Sequence, residues 1–275
     1  MFAIPVAPPS PARLQDAALA CLLADSVESK LALSEVAARI EVTAEPIGTE
    51  PIPLPMPGRP AKPTLVSPRD LAQRGLGTPL GRAAFIHAIA HIEFNAINLA
   101  WDAVYRFRGM PVEFYRDWSF VAADETRHFS MLNARLQSLG HAYGDFDAHN
   151  GLWEMAVATQ HSCLERMALV PRVLEARGLD VTPAMIERLQ SAGDKQTAEV
   201  LRVILREEVA HVAIGSRWFA WCCEREGVAA GATFTRLIGQ YARGALRGPF
   251  NRPARIAAGF SEAEIDGLEA MSAAS

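Results

Sequence analysis

The sequence predicts an all-α protein: a four-helix bundle, with a helical and proline-rich extension before it and a helical extension after it. Three observations predict this. Apolar residues recur at steps of three and four through residues 81–226. Glycine and proline punctuate that stretch at intervals of a whole helix. No segment alternates apolar and polar residues as a half-buried strand does. Half of the 275 residues are apolar and 21% are charged, which leaves ample core for such a bundle.

The elements follow in order. Residues 1–80 form the first region. Within it, residues 10–41 read as one helical stretch from a Ser-Pro start, and residues 42–80 hold nine of the eighteen prolines. That second part is expected to lie extended across another surface, with a flexible linker as the equal alternative. The bundle spans 81–227. Its first helix covers about 81–108 and stops at Gly109; the second covers 111–139 and ends at Gly140. The third is predicted over 151–177, stopped by Gly178, with a short helix after Pro183. The fourth covers 195–226 and stops at Gly227. Residues 228–275 form a C-terminal helical extension rich in arginine.

Composition narrows the function. A net charge of −4 gives no global attraction to nucleic acid. Cys21, Cys163, Cys222 and Cys223 form no C-x-x-C pair, so a zinc ribbon or rubredoxin-type centre is not expected, and the thiols read as free in a reducing compartment. The start "MFAIPVAPPSPAR" lacks the basic opening of a signal peptide, and no run of apolar residues is long enough to span a bilayer. A cytoplasmic location is the expectation.

Polar residues on the apolar stripes carry the chemistry. The stripe of the first helix holds Glu93, the second Glu125 and His128, the third Glu165, and the fourth Glu208 and His211. Glu125 with His128 and Glu208 with His211 stand at i, i+3 and share a face. Glu93 and Glu125 flank the turn at Pro111 at similar distances. Glu165 precedes Gly178 by 13 residues and Glu208 follows Lys195 by 13, so all four acids can meet at one level. Four carboxylates in an apolar core repel one another and lose hydration unless something neutralises them. Two divalent cations carry the matching +4, and two imidazoles complete the donor set. One Glu from each of two helices and Glu-x-x-His from the other two is the ligand set of carboxylate-bridged di-iron and di-manganese bundles. A lone Glu-x-x-His is ordinarily a surface ion pair; two of them with two further glutamates predict metal binding. His161, one turn before Glu165, is a candidate proton relay or a structural histidine.

On these residues a resemblance can be stated. The four-helix core resembles the ferritin-like superfamily, and "DETRH" at 124–128 resembles the D-E-x-R-H motif of its bacterial di-iron oxygenases. The layout of residues 80–260 resembles a bacterial ferritin-like di-iron carboxylate family of uncharacterised activity, distantly similar to tRNA-hydroxylating di-iron monooxygenases. The resemblance implies that Asp124 orients a histidine ligand and that Arg127 braces it. The second motif, "EEVAH" at 207–211, departs from the pattern. Glu207 stands at the Asp position and Ala210 at the Arg position.

The implied function is that of an O₂-activating oxidase or oxygenase with two metal ions, iron with iron or manganese with iron. Its partners would be O₂, a small organic substrate and an external electron donor, since no flavin or iron–sulfur signature is present. A homodimer is allowed and no membrane partner is expected. Two other functions are weighed: iron handling, as a ferroxidase or peroxide scavenger, and tRNA hydroxylation. The latter draws on Arg243, Arg247, Arg252 and Arg255, which could hold an anionic substrate or RNA backbone, or could simply be neutralised by acids of the bundle.

Overall fold

The computed structural model describes residues 14–42, 50–242 and 246–273. Among these the chain is helical without a β-strand; one isolated parallel bridge joins Leu65 to Ala148. The expected N-terminal helix is two helices, α1 (Leu14–Leu23) and α2 (Val27–Ala37). Ser26 divides them, because its side chain accepts the backbone N–H of Ser29 at 3.1 Å and starts a new helix. α1 packs on the long helix α3 (Pro79–Arg106), and α2 packs on α4 (Val112–Ser138).

α3 begins at Thr78, whose hydroxyl accepts from Gly81 N, with Pro79 at the first helical position. Five residues turn the chain into α4, so the two helices pack along each other. The described part of the proline-rich segment is laid over the end of α3, α1 and Trp153 rather than hanging free. Ile52 N donates to the Tyr105 hydroxyl at 3.0 Å, Gly58 N to Leu22 O at 2.7 Å, and Trp153 Nε1 to Pro55 O at 3.2 Å. Trp101 is buried and donates to Ser34 Oγ on α2. The buried Lys30 ammonium donates to Cys21 O and Asn98 Oδ1, each at 2.7 Å. Asn98 on α3 is therefore spent on inter-helix bonding, and Asp102 pairs with Arg106 within α3 and with Arg166 across to the third rod.

The third rod departs from its expected course. α5 (Gly151–Ala158) stops after two turns, α6 (Cys163–Leu169) restarts, Val170–Glu175 widens into a π-helix, and α7 (Ala176–Ser191) continues from it. Ser162 starts α6 by accepting Glu165 N at 3.2 Å. Gly178 does not stop the helix, and Pro183 sits inside α7 rather than starting a new one. The rod turns instead at Gly193, whose φ is +79°. α8 (Lys195–Glu226) then runs the length of the core, from its Asp194 cap to left-handed Gly227.

The C-terminal elements α9 (Ala230–Leu237), α10 (Arg252–Ala257) and α11 (Glu262–Ala273) close over the third and fourth rods. The buried Arg172 guanidinium lies 4.2–4.8 Å from the ring centres of Phe219, Phe234 and Phe260 and pairs with Glu264 at 2.7 Å. No helix among the described residues is long and apolar enough to cross a membrane.

Candidate metal centre

Both Glu-x-x-His motifs point inward at one level. One ligand atom from each of Glu125, His128, Glu208 and His211 lies within 4.8 Å of all the others, so this buried cluster can hold a metal ion. His211 Nδ1 lies 3.0 Å from Glu125 and 3.3 Å from Glu208; His128 Nδ1 lies 3.3 Å from Glu125 and 3.6 Å from Glu208. Glu93 joins from α3, its Oε2 3.5 Å from His128 Nδ1. Regular helices explain the convergence: α3, α4 and α8 each run through the centre without interruption, so periodicity sets the direction of every side chain.

Glu165 does not join them. It sits in the first turn of α6, 3.2 Å from the mostly exposed His161. The depth count to Gly178 fails because the helix continues past it to Ser191. The acid that faces the centre from the third rod is Glu175, ten residues or about 15 Å further along. It ends the π-helix and lines one cavity with Glu93, Glu125 and Glu208. Its carboxyl is pushed up to about 8, by burial first and then by the charges of Glu208 and Glu125. Two signals mark the correct register. Ser162-x-x-Glu165 reads as the start of a helix, and Pro171 marks an irregular turn just before Glu175.

Charge at the centre is unbalanced as it stands. Glu93 is raised well above the usual carboxylate range, by burial and then by Glu125. Burial also raises Glu125, but His211 and His128 outweigh it and hold that carboxyl low. Burial lowers both imidazoles, and the surrounding glutamates outweigh it and push both up. Buried Glu125 Oε2, Glu175 Oε2, His128 Nδ1 and His211 Nδ1 all lack a hydrogen-bond partner. Orphaned polar atoms of this kind, those of Glu125, His128 and His211 in one cluster and that of Glu175 on the adjoining cavity, are what cations would satisfy.

The outer faces of the two histidines are braced crosswise. His211 Nε2 meets Asp124 at 3.2 Å, and His128 Nε2 meets Glu207 at 2.7 Å. Arg127 donates to Asp124 at 2.8 Å and to Glu207 at 2.7 Å. Glu207 is thus the counterpart of Asp124, each motif bracing the other motif's histidine. One arginine serves both acids, which is why Ala210 is sufficient in the second motif. Each Nε2–H donates outward, which leaves each Nδ1 facing into the cluster, where a cation would displace its proton.

Two of the C-terminal arginines, Arg252 and Arg255, are engaged within the chain. Arg255 is buried and doubly bonded to Asp180 on α7, and Arg252 is held by Glu262, Asp266 and Glu269. Arg247 offers its carbonyl to Arg177, while Arg243 lies outside the described residues. Neutralisation by nearby acids accounts for Arg252 and Arg255.

The cavity beside the centre has a volume of about 160 Å³. Its floor is the four glutamates, its walls are aliphatic, including Ile89, Leu99, Met185 and Ile204, and Arg177 stands at its edge.

Comparison with known proteins places the chain in a family. No solved structure matches it. A protein of Haemophilus influenzae, described as "Uncharacterized protein", is 49% identical over 214 residues, covering 75% of this chain and 74% of that one. The family model described as "Protein of unknown function (DUF455)" matches residues 23–266, from α1 to α11 and across the whole centre. The chain belongs to this DUF455 family.

Proposed function

We propose that this protein is a ferritin-like di-metal carboxylate protein that uses O₂ to oxidise the apolar part of a small organic substrate. Two iron ions, or iron with manganese, would be held by Glu93, Glu125, His128, Glu175, Glu208 and His211. The donor set supports this: four carboxylates balance two divalent cations, and mixed carboxylate and imidazole donors suit iron and manganese. The observation that carries the choice of reaction is the aliphatic cavity opening onto the glutamates. An aliphatic wall selects a hydrocarbon group, which offers nothing to hydrolyse, and oxidation is the chemistry that functionalises a saturated one. Bound iron or manganese supplies the electron steps that O₂ chemistry requires.

The chain's own part is orientation and exclusion. Asp124, Glu207 and Arg127 fix the tautomer and aim of both imidazoles. The aliphatic walls position the substrate and keep bulk water out, and Arg177 stands where a polar end of the substrate would emerge. Electrons would come from a separate donor. Iron handling alone has no use for an aliphatic chamber, and RNA binding loses Arg252 and Arg255 to internal pairing.

The test is elemental analysis after anaerobic loading with ferrous iron. The natural chain should hold about two metal ions, as the four-carboxylate balance requires, and Glu125→Ala should hold fewer than one. Loaded protein supplied with O₂, a chemical reductant and a panel of short aliphatic compounds should yield oxidised product by mass spectrometry. Fewer than one metal per natural chain, unchanged by the substitution, sinks the reading.

A further inference from the structure

A second constellation lies outside the candidate centre. Cys163 is the first residue of α6, just after the break in the third rod, and Cys222 lies near the end of α8, which packs against α6. Both line an open cavity of about 510 Å³ between the α3–α4 turn, the proline-rich strap and the end of α8. The two thiols share this cavity wall and act on each other electrostatically. That interaction draws the Cys222 thiol down, against burial, while burial pushes Cys163 up. One sulfur is thereby prepared as a nucleophile, and its neighbour is kept as a thiol beside it.

The cavity walls carry Arg106, Arg108 and Arg225 against Glu50 and Glu226. Arg106 is engaged by Asp102, and Arg225 reaches Gly109 O at 3.3 Å. Arg108 lies over the Tyr105 ring, and its buried Nε and Nη1 have no partner. A guanidinium with free donors beside a dithiol favours a carboxylate-bearing ligand. A peroxide would need neither the volume nor the arginine.

We propose that Cys163 and Cys222 form a redox dithiol that exchanges with small disulfides carrying carboxylates, bound in this cavity. The Cys222 thiolate attacks one sulfur of the small disulfide, forming a mixed disulfide and releasing one small thiolate. That thiolate takes the proton of Cys163. The Cys163 sulfur then attacks Cys222, breaks the mixed disulfide and releases the second small thiolate, which is protonated by water balanced against the proton first lost from Cys222. The net change is two cysteine thiols and one small disulfide giving the Cys163–Cys222 disulfide and two small thiols. The inference is independent of any metal. Cys21 and Cys223 are internal controls. Cys21 is buried against Lys30, and Cys223 faces the Arg172 and Glu264 side of α8.

The probe is oxidised glutathione, applied to the full chain, followed by acid quench, alkylation under denaturing conditions and digestion without reduction. Mass spectrometry should find Cys163 joined to Cys222, with Cys21 and Cys223 alkylated. Cys163→Ser should stop at a mixed disulfide on Cys222. Arg108→Gln should slow the reaction about tenfold, the loss of one charge-assisted hydrogen bond, and leave exchange with uncharged hydroxyethyl disulfide unchanged. Four alkylated cysteines after incubation would overturn the dithiol, as would a mixed disulfide that persists on Cys222 in the natural chain. Equal sensitivity of both probes to Arg108→Gln would overturn the preference for carboxylates.

Discussion

Helices α4 and α8 and the rod from Gly151 to Ser191 all carry an acid to the same cavity, but by different means. α4 and α8 are unbroken, and their acids reach the centre because a 3.6-residue repeat aims them there. The third rod is interrupted at Thr159–Ser162 and widened over Val170–Glu175, and Glu175, at the end of the widened turn, lines the cavity. Pro171 lacks an N–H, so the regular bonding pattern is already incomplete where the π-turn begins. Gly215 on α8 faces it: a Cβ there would stand 2.4 Å from the Pro171 ring. The regular helices place their acids by sequence spacing, and the irregular rod places its acid by packing against a neighbour.

The largest test of that difference exchanges the two acids of the third rod. Glu175→Gln should weaken metal binding by about a hundredfold or more, the scale of losing a charged ligand, whereas Glu165→Gln should leave it unchanged. Isothermal titration with manganese avoids redox complications. If Glu165→Gln proves the damaging change, the assignment of the third rod is wrong.

The same contrast explains what the sequence made legible. The ends of α3, α4 and α8 follow from Pro79, Pro111, Gly140, Asp194 and Gly227, and the inward aim of Glu93, Glu125 and Glu208 follows from the stripes. Glu175 was hidden because a count of turns assumes 3.6 residues throughout, and because Gly178 looks like a stop when read without its neighbours. Nothing near Gly178 crowds it and its φ is not in the left-handed region, so the helix passes through. Cross-bracing by Asp124 and Glu207 was also out of reach, since spacing reports which side chains share a helix face and not which partner faces them. The motif difference at Ala210 was visible; its explanation, one arginine between two acids, needed the helices side by side.

A smaller effect tests whether the two regular motifs act as one device. Arg127→Ala leaves both histidines and their acids in place but frees Asp124 and Glu207 to move. Removal of such an outer partner costs about 10–100-fold in metal affinity. Both sites should weaken together, because the arginine touches both acids at 2.7–2.8 Å. Loss confined to one metal in a stepwise titration would show that the motifs are braced separately.

The smallest effect separates packing from helix propensity within the broken rod and its partner. Gly215→Ala drives a methyl into the Pro171 ring, which has no flexible end to yield, and should cost about 1–3 kcal/mol. It should also weaken metal binding, because relief requires the π-turn that carries Glu175 to shift. Gly178→Ala meets nothing within 4 Å and replaces a glycine in mid-helix, so it should stabilise by up to about 1 kcal/mol. It should leave metal affinity alone. Urea unfolding with chelator present isolates the stability difference from metal linkage. If Gly178→Ala instead destabilises, the helix does end there, the depth count to Gly178 holds again, and Glu165 regains its claim to the centre.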